Sequence, residues 1–325
     1  LLDQGLILRL MLKNRGEKIV KSIKVKDILK WARVEGYSIE YIGDQNISFC
    51  EFSSLSHYKK GSLTWINLKN PVDKEVLAAI HCAIIQKGVK TIPDNCFIAE
   101  ESKRFFFSVL ENFFSDKCTS FAEREHSYIG REVKLGKNVK IGCNCTLDGN
   151  ITIGDNTIIE HNVTVINKVV IGHDCIIHSG TVIGKDGFGY SFDMEHIPQK
   201  VKHFGGVRIG DRVEIGCNCS IDRGTIDDTQ IANDVKIDSL VIIGHNNRIE
   251  EGVIIVGCTE IGGSCEIGEK SYIAPQAVIK NKTSIGKESF IGMGVVVTED
   301  LDAYSSSVGC PVTKISRNKD YRRFL

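Results

Sequence analysis

Residues 231–267 read IANDVKIDSLVIIGHNNRIEEGVIIVGCTEIGGSCEI, with isoleucine at every sixth position: Ile231, Ile237, Ile243, Ile249, Ile255, Ile261 and Ile267. The period continues through Ile273, Ile279, Ile285, Ile291 and Val297. Upstream it runs from Ile129 through Leu135, Ile141, Leu147, Ile153, Ile159, Val165, Ile171, Ile177 and Ile183, and returns at Ile209, Ile215 and Ile221. An amphipathic helix repeats its apolar stripe at three and four residues, so a period of six excludes it. It also differs from the uninterrupted alternation of a long strand. Short strands joined by tight corners, one apolar plug per strand, satisfy it as a solenoid. Three hexads close one coil of a triangular prism, so these positions predict roughly eight coils stacked ~4.8 Å apart. The fold expected is mainly β: a left-handed parallel β-helix of hexapeptide repeats, against the usual right-handed crossover, preceded by a small α/β domain. Glycine beside the plug, as in Ile153-Gly154 and Ile215-Gly216, is expected to open corner conformations closed to residues with a Cβ.

Residues 1–21 form a segment of unclear status, residues 22–123 the α/β domain, residues 124–303 the β-helix, and residues 304–325 a short basic tail. In the α/β domain, residues 25–32, 75–85 and 103–114 read as helices. Residues 38–51, broken at Gly43-Asp44, and residues 62–67 read as extended. The hexads are interrupted by a loop at residues 185–206, and four residues are inserted near Asp227-Asp228. A loop longer than about 12 residues within a compact repeat usually carries function.

The formal net charge is zero with 25% charged residues, which gives no basic patch for nucleic acid. Twelve cysteines are present, but Cys143, Cys145, Cys217 and Cys219 fall in repeat phase, which points to small buried or corner residues. Reduced thiols and a cytoplasmic location follow. The apolar start is shorter than a bilayer span and lacks a secretory signal's basic residues.

Histidine is the natural candidate for proton transfer near neutral pH. His161, His173 and His245 each follow a plug by two residues, a corner position. His245, in Ile243-Gly244-His245-Asn246, lies 18 residues before Gly263, so one coil separates the two. A base beside a backbone N–H is a geometry for acyl transfer.

Several motifs then occur in order: Lys185-Asp186-Gly187-Phe188-Gly189-Tyr190, Ile197-Pro198-Gln199, the run from Arg208 through Asp211 and Glu214 to Gly216, Ile221-Asp222-Arg223-Gly224, and Gly244-His245-Asn246. In these the chain resembles the UDP-3-O-acylglucosamine N-acyltransferases of lipid A synthesis, over about residues 22–297. The resemblance implies a homotrimer with sites between neighbouring prisms. It also implies His245 as general base, Gly263 as backbone oxyanion donor, and Asp238 and Asn246 as further catalytic positions. Trp65 would stack on the nucleotide base, and Phe188, Tyr190, Ser239 and Lys282 would belong to substrate binding. No cofactor is implied beyond an acyl thioester co-substrate.

Departures from the family pattern bear on the donor. Lys282 stands for a family histidine, Thr298 for an arginine, Ser239 for an asparagine, and Pro71 for the second aromatic of the base clamp. The long C-terminal helix that grips acyl carrier protein is not found in this chain, and Val308-Gly309-Cys310-Pro311-Val312 resembles the tail of coenzyme A-dependent sugar acetyltransferases. The resulting expectation is N-acyl transfer from acyl-CoA to a nucleotide-linked amino sugar. The alternative is the carrier-protein-dependent lipid A enzyme itself. Three rival readings remain. One is a γ-carbonic-anhydrase-like zinc trimer using His173 and His178, with Lys137 where a third histidine is needed. Another is a non-catalytic scaffold, and the third is transfer to a sugar hydroxyl.

Overall fold

A computed structural model describes residues 22–68, 72, 74–114 and 124–308. The chain divides into two compact units, 1–119 and 120–325.

The second unit is the parallel β-helix that the hexads predict. Each plug pairs with the plug one coil on: Ile237 with Ile255, Ile255 with Ile273, Ile243 with Ile261 and Ile249 with Ile267. The plugs from Ile141 to Ile291 are almost wholly buried and form one continuous core. Burying each such side chain contributes about 1.5–3 kcal/mol. The pairing also locates both interruptions. Ile183 pairs with Ile221 across the long loop, and Ile221 pairs with Ile243 across the short insertion. Both insertions leave the prism at the edge that follows Ile183, Ile221 and Ile243.

The helix continues past residue 303. Ser306–Ser307 pairs with Phe290–Ile291, and Leu301 bridges Ile285. This last coil departs from the period of six, which hides Leu301 and Ser307 from a periodicity search.

Glycine does a different job from the one expected. The left-handed backbone falls three residues after the plug, at Asn144, Asn156, Asn162, Asp174, Asn218, Asn246, Ser264 and even Leu240 and Lys282. Asn and Asp tolerate that region best. Glycine directly after the plug is required by close stacking: a Cβ on Gly154 would stand 2.6 Å from the Gly172 carbonyl carbon of the next coil.

The described cysteines are free thiols. Four of them act as buried hydrogen-bonding residues within the coils. Cys145, Cys175, Cys219 and Cys265 donate S–H to the carbonyls of Glu160, Gly210, Asp238 and Lys280. Thr157 and Thr181 make the equivalent bonds to Gly172 and Gly216. Burial pushes all four thiol pKa values up, so they stay protonated near neutral pH.

The first unit is a four-stranded mixed sheet in the order Ile39–Ile42, Cys96–Ala99, Cys82–Gln86, Leu63–Ile66, with helices Val25–Val34, Lys74–Ala79 and Ser102–Phe114. The helix expected over residues 75–85 is therefore wrong in its second half. It stops at Ala79, and Cys82–Gln86 is a central strand. Its residues Cys82, Ala83, Ile84 and Ile85 are all buried. A strand covered on both faces reads as a continuous apolar run, which periodicity does not separate from a buried helix. No helix among the described residues is long and apolar enough to cross a membrane.

Candidate functional site

Corner side chains of this β-helix have a regular structural job. At several corners the residue two after the plug accepts a backbone N–H from its counterpart one coil back. Asp155 caps Lys137, His173 caps Asp155, Asp211 caps His173 and Asn233 caps Asp211. His161 does the same for Cys143 through Nδ1, at 2.9 Å. His161 and His173 thus each commit a ring nitrogen to holding coils together.

His245 holds no such backbone N–H, and its ring turns to its own neighbour: Nδ1 lies 3.0 Å from Asn246 Oδ1. The orientation of that amide is fixed by its other partners. Asn246 Oδ1 accepts from the Thr225 N–H at 3.0 Å and the Thr225 hydroxyl at 2.9 Å, while Nδ2 donates to the Asp227 carbonyl at 3.1 Å. An amide oxygen can only accept, so His245 Nδ1 carries the proton and Nε2 is left with its lone pair. That nitrogen faces Gly263, where an added Cβ would stand 2.6 Å away. Among the described residues, neither His245 Nε2 nor the Gly263 N–H has a hydrogen-bond partner. A proton acceptor and a backbone donor therefore lie side by side on one edge of the prism.

The long loop closes over the same place. Gly187 passes so near that a Cβ there would stand 2.8 Å from His245 Cδ2. Beyond it, Tyr190–Phe192 and Pro198–Lys200 form an antiparallel hairpin. Phe188 is 86% exposed and packs on Tyr190 with ring centroids 5.0 Å apart, so this part of the loop offers an aromatic surface to solvent.

The loop's return strand is pinned at its base. Gly205 donates to the Gly224 carbonyl, and Gly206 donates to Asp228. Asp228 also meets Lys168 and Arg208. Burial opposes ionisation of Asp228, but these donors outweigh it and hold its pKa below the usual carboxylate range. Lys185 pairs with Asp222, which is almost fully buried.

Two residues of this site were not signalled by the sequence. His203, in the loop and out of hexad phase, is 1% exposed and packs edge-to-face on His245 with ring centroids 5.4 Å apart. Thr225, which orients Asn246, was likewise hidden inside the short insertion.

The remaining expected residues divide between this edge and other places. Lys282 is exposed on the same edge, one coil beyond Gly263, to whose carbonyl its N–H donates. Asp238 and Ser239 lie on a different edge of the same prism, so a single chain does not bring them to His245. The two Asp238 oxygens accept the Ser239 and Gly257 N–H groups, and Ser239 Oγ caps Cys217. They line a groove shared with His178 and Lys236.

His178 is held between Glu160 and Glu214, with both contacts at 3.1 Å. Burial disfavours its charged form, yet the two carboxylates prevail and its pKa is raised. Its two ring nitrogens are thus engaged by carboxylates. No cluster placed to hold a metal occurs among the described residues.

In the first unit, Trp65 stacks on Phe106 and donates Nε1–H to Ser102 Oγ at 3.0 Å. It also lines a pocket of about 670 Å³ with Asn67, Gln86 and Phe107. Pro71 and residues 309–312 lie outside the described residues.

Residues 150–185 match the family model of the bacterial transferase hexapeptide (six repeats). The β-helix is made of hexapeptide repeats. This hexapeptide chain is 39% identical over 116 residues to a UDP-3-O-acylglucosamine N-acyltransferase of Delftia acidovorans, covering 36% of the chain and 34% of the relative. It is 38% identical over 142 residues to that of Coxiella burnetii, covering 42% and 40%. The matched stretch thus spans roughly a third to two fifths of the length of these curated relatives. Among solved structures, the UDP-N-acetylglucosamine O-acyltransferase of Moraxella catarrhalis has the same fold, with a TM-score of 0.53 at 21% identity over 58% of this chain and 71% of that one. A UDP-N-acetylglucosamine acyltransferase of Bacteroides fragilis gives a TM-score of 0.50 at 27% identity over 55% and 68%.

Proposed function

We propose that this chain is an N-acyltransferase that moves an acyl group from a thioester to the amine of a UDP-3-O-acylglucosamine-type acceptor. The observation that carries this reading is the bare Nε2 of His245 standing close against Gly263, whose own N–H has no partner among the described residues, under a pinned loop. The names of the relatives favour this acceptor over a broader class of nucleotide-linked amino sugars. The amine nitrogen attacks the thioester carbonyl while His245 Nε2 takes its proton. The tetrahedral oxyanion is held by the Gly263 N–H, a fixed donor of a kind that contributes a few kcal/mol. The C–S bond then breaks, the amide is released, and the imidazolium returns its proton to the departing thiolate. A neutral amine is already a good nucleophile, so no covalent intermediate on the protein is required.

Asp238 and Ser239 stand on another edge of the prism, which favours a homotrimer in which a neighbouring copy brings them to the cleft. The pocket beside Trp65 supports a place for the nucleotide base. A cytoplasmic location belongs to the same reading, because both substrates of this proposal are soluble or carrier-bound intracellular species.

The test is an assay of UDP-3-O-acylglucosamine with one acyl group presented in parallel on acyl carrier protein and on coenzyme A. Amide formation with the carrier protein as the better donor is the expected result. Turnover with coenzyme A alone would return the donor to the reading suggested by Lys282, Thr298 and the Val308–Val312 motif. No amide from either donor would overturn the function.

A further inference from the structure

His203 is a buried titratable group that this mechanism leaves unused. Its Nδ1 lies 2.9 Å from the Val201 carbonyl, which can only accept, so Nδ1 carries the proton in the neutral ring. Nε2 then bears a lone pair, is buried and has no hydrogen-bond partner among the described residues. Buried polar groups without partners are rare enough in native proteins to require an explanation. The direction of this one supplies it. A Cβ on Gly187 would stand 2.8 Å from His245 Cδ2 and 3.1 Å from His203 Nε2, so the bare nitrogen lies on the side that His245 occupies. In this tautomer Nε2 is the negative end of the ring dipole.

We propose that His203 is a positioning residue for His245 that also raises its basicity. Its ring walls His245 in beside Gly263, and its bare Nε2 favours the imidazolium that forms as the amine loses its proton. Glycine at position 187 permits this approach, since any Cβ would press on both rings. The inference rests on the proposed role of His245 as base. The charged groups on the packed elements are largely engaged elsewhere. Lys200 donates to the Gly187 carbonyl, Asp186 meets Arg223 and the His203 N–H, and Lys185 pairs with Asp222. Asp227 reaches Asn246 through its carbonyl, and Lys282 is exposed one coil beyond Gly263. Beside His245, the groups without a partner among the described residues are the Gly263 N–H, which is the proposed oxyanion donor, and the His203 Nε2.

Two variants separate the dipole from the packing. His203→Phe keeps a flat ring and removes both nitrogens, whereas His203→Gln can offer an amide oxygen in place of Nε2. An NMR titration of His245 in ¹³C-histidine-labelled full-length protein reads basicity without substrate. The expected result is a His245 midpoint lower by roughly half a pH unit or more in His203→Phe, with most of the loss restored in His203→Gln. In the acyl-transfer assay the acid limb of kcat/KM moves the same way and kcat falls, while KM for the thioester stays constant. An unmoved His245 midpoint in folded His203→Phe would overturn the proposal even if kcat fell. A shifted midpoint in a protein inactive on every amino-sugar acceptor would leave the contact standing and overturn the proposed function instead.

Discussion

Replacing Gly263 by alanine adds one methyl group at a place where the consequence can be worked out. The backbone there is not left-handed, and the three nearest atoms to an added Cβ all belong to His245: Nε2 at 2.6 Å, Cε1 at 2.8 Å and Cδ2 at 3.0 Å. The position two after a plug carries a side chain on other coils, as at Asp155, His173, Asp211 and Asn233. The fold therefore accepts alanine at this position, and the change in stability should stay near the ±0.5 kcal/mol of a surface substitution. The imidazole must swing aside by about an ångström, which breaks its bond to Asn246 or carries Nε2 away from the donor. Misplacement on that scale costs about 10²-fold in rate, or about 2.7 kcal/mol of barrier. The expected outcome is a kcat lower by roughly 10²-fold or more with an unchanged thermal midpoint. Steady-state acyl transfer and differential scanning calorimetry read the two quantities. A Gly263→Ala protein within about threefold of the parent rate would refute the placement of the base against this residue.

Two further outcomes follow from the geometry. Trp65→Ala opens the wall of the first-unit pocket and should raise KM for the sugar nucleotide far more than KM for the thioester, whereas Trp65→Phe should restore most of it; equal effects on both substrates would count against base stacking. The raised pKa of His178 makes its carboxylate ladder a pH-dependent contribution to stability, fully present below the ordinary histidine pKa and lost as pH rises through the raised value. The thermal midpoint of His178→Gln should therefore fall furthest below the parent at about pH 6 and converge with it by about pH 9, and a constant gap would show the ladder to be uncharged.

Most of the β-helix was legible because a period of six admits one kind of backbone. The plugs, both insertions and the phase of the cysteines all follow from it. The role of glycine was not legible, because a glycine required by close stacking and one required by positive φ look alike in a sequence. The last coil was hidden by its departure from the period at Leu301. In the first unit, the continuous apolar run at Cys82–Gln86 carries no period that could announce a strand.

At the site, His245 and Gly263 were readable from their spacing of one coil. His203 was not, since it sits in an insertion where no repeat fixes which way a side chain points. Asp238 and Ser239 follow the preceding plug, Ile237, so the hexad phase puts them off the His245 edge of the same chain. In one chain they hold backbone N–H groups on that different edge.

The central claim is that His245 Nε2 is the base, and the most direct measurement is the single-turnover rate of amide formation by His245→Ala. The Nδ1 bond ends on Asn246 and the ring caps no backbone N–H, so the variant should fold with the parent's circular dichroism and oligomeric state. Loss of a general base predicts a rate lower by about 10²–10⁴-fold at the parent's optimum pH. A folded His245→Ala protein that forms the amide within a few fold of the parent rate would contradict the account.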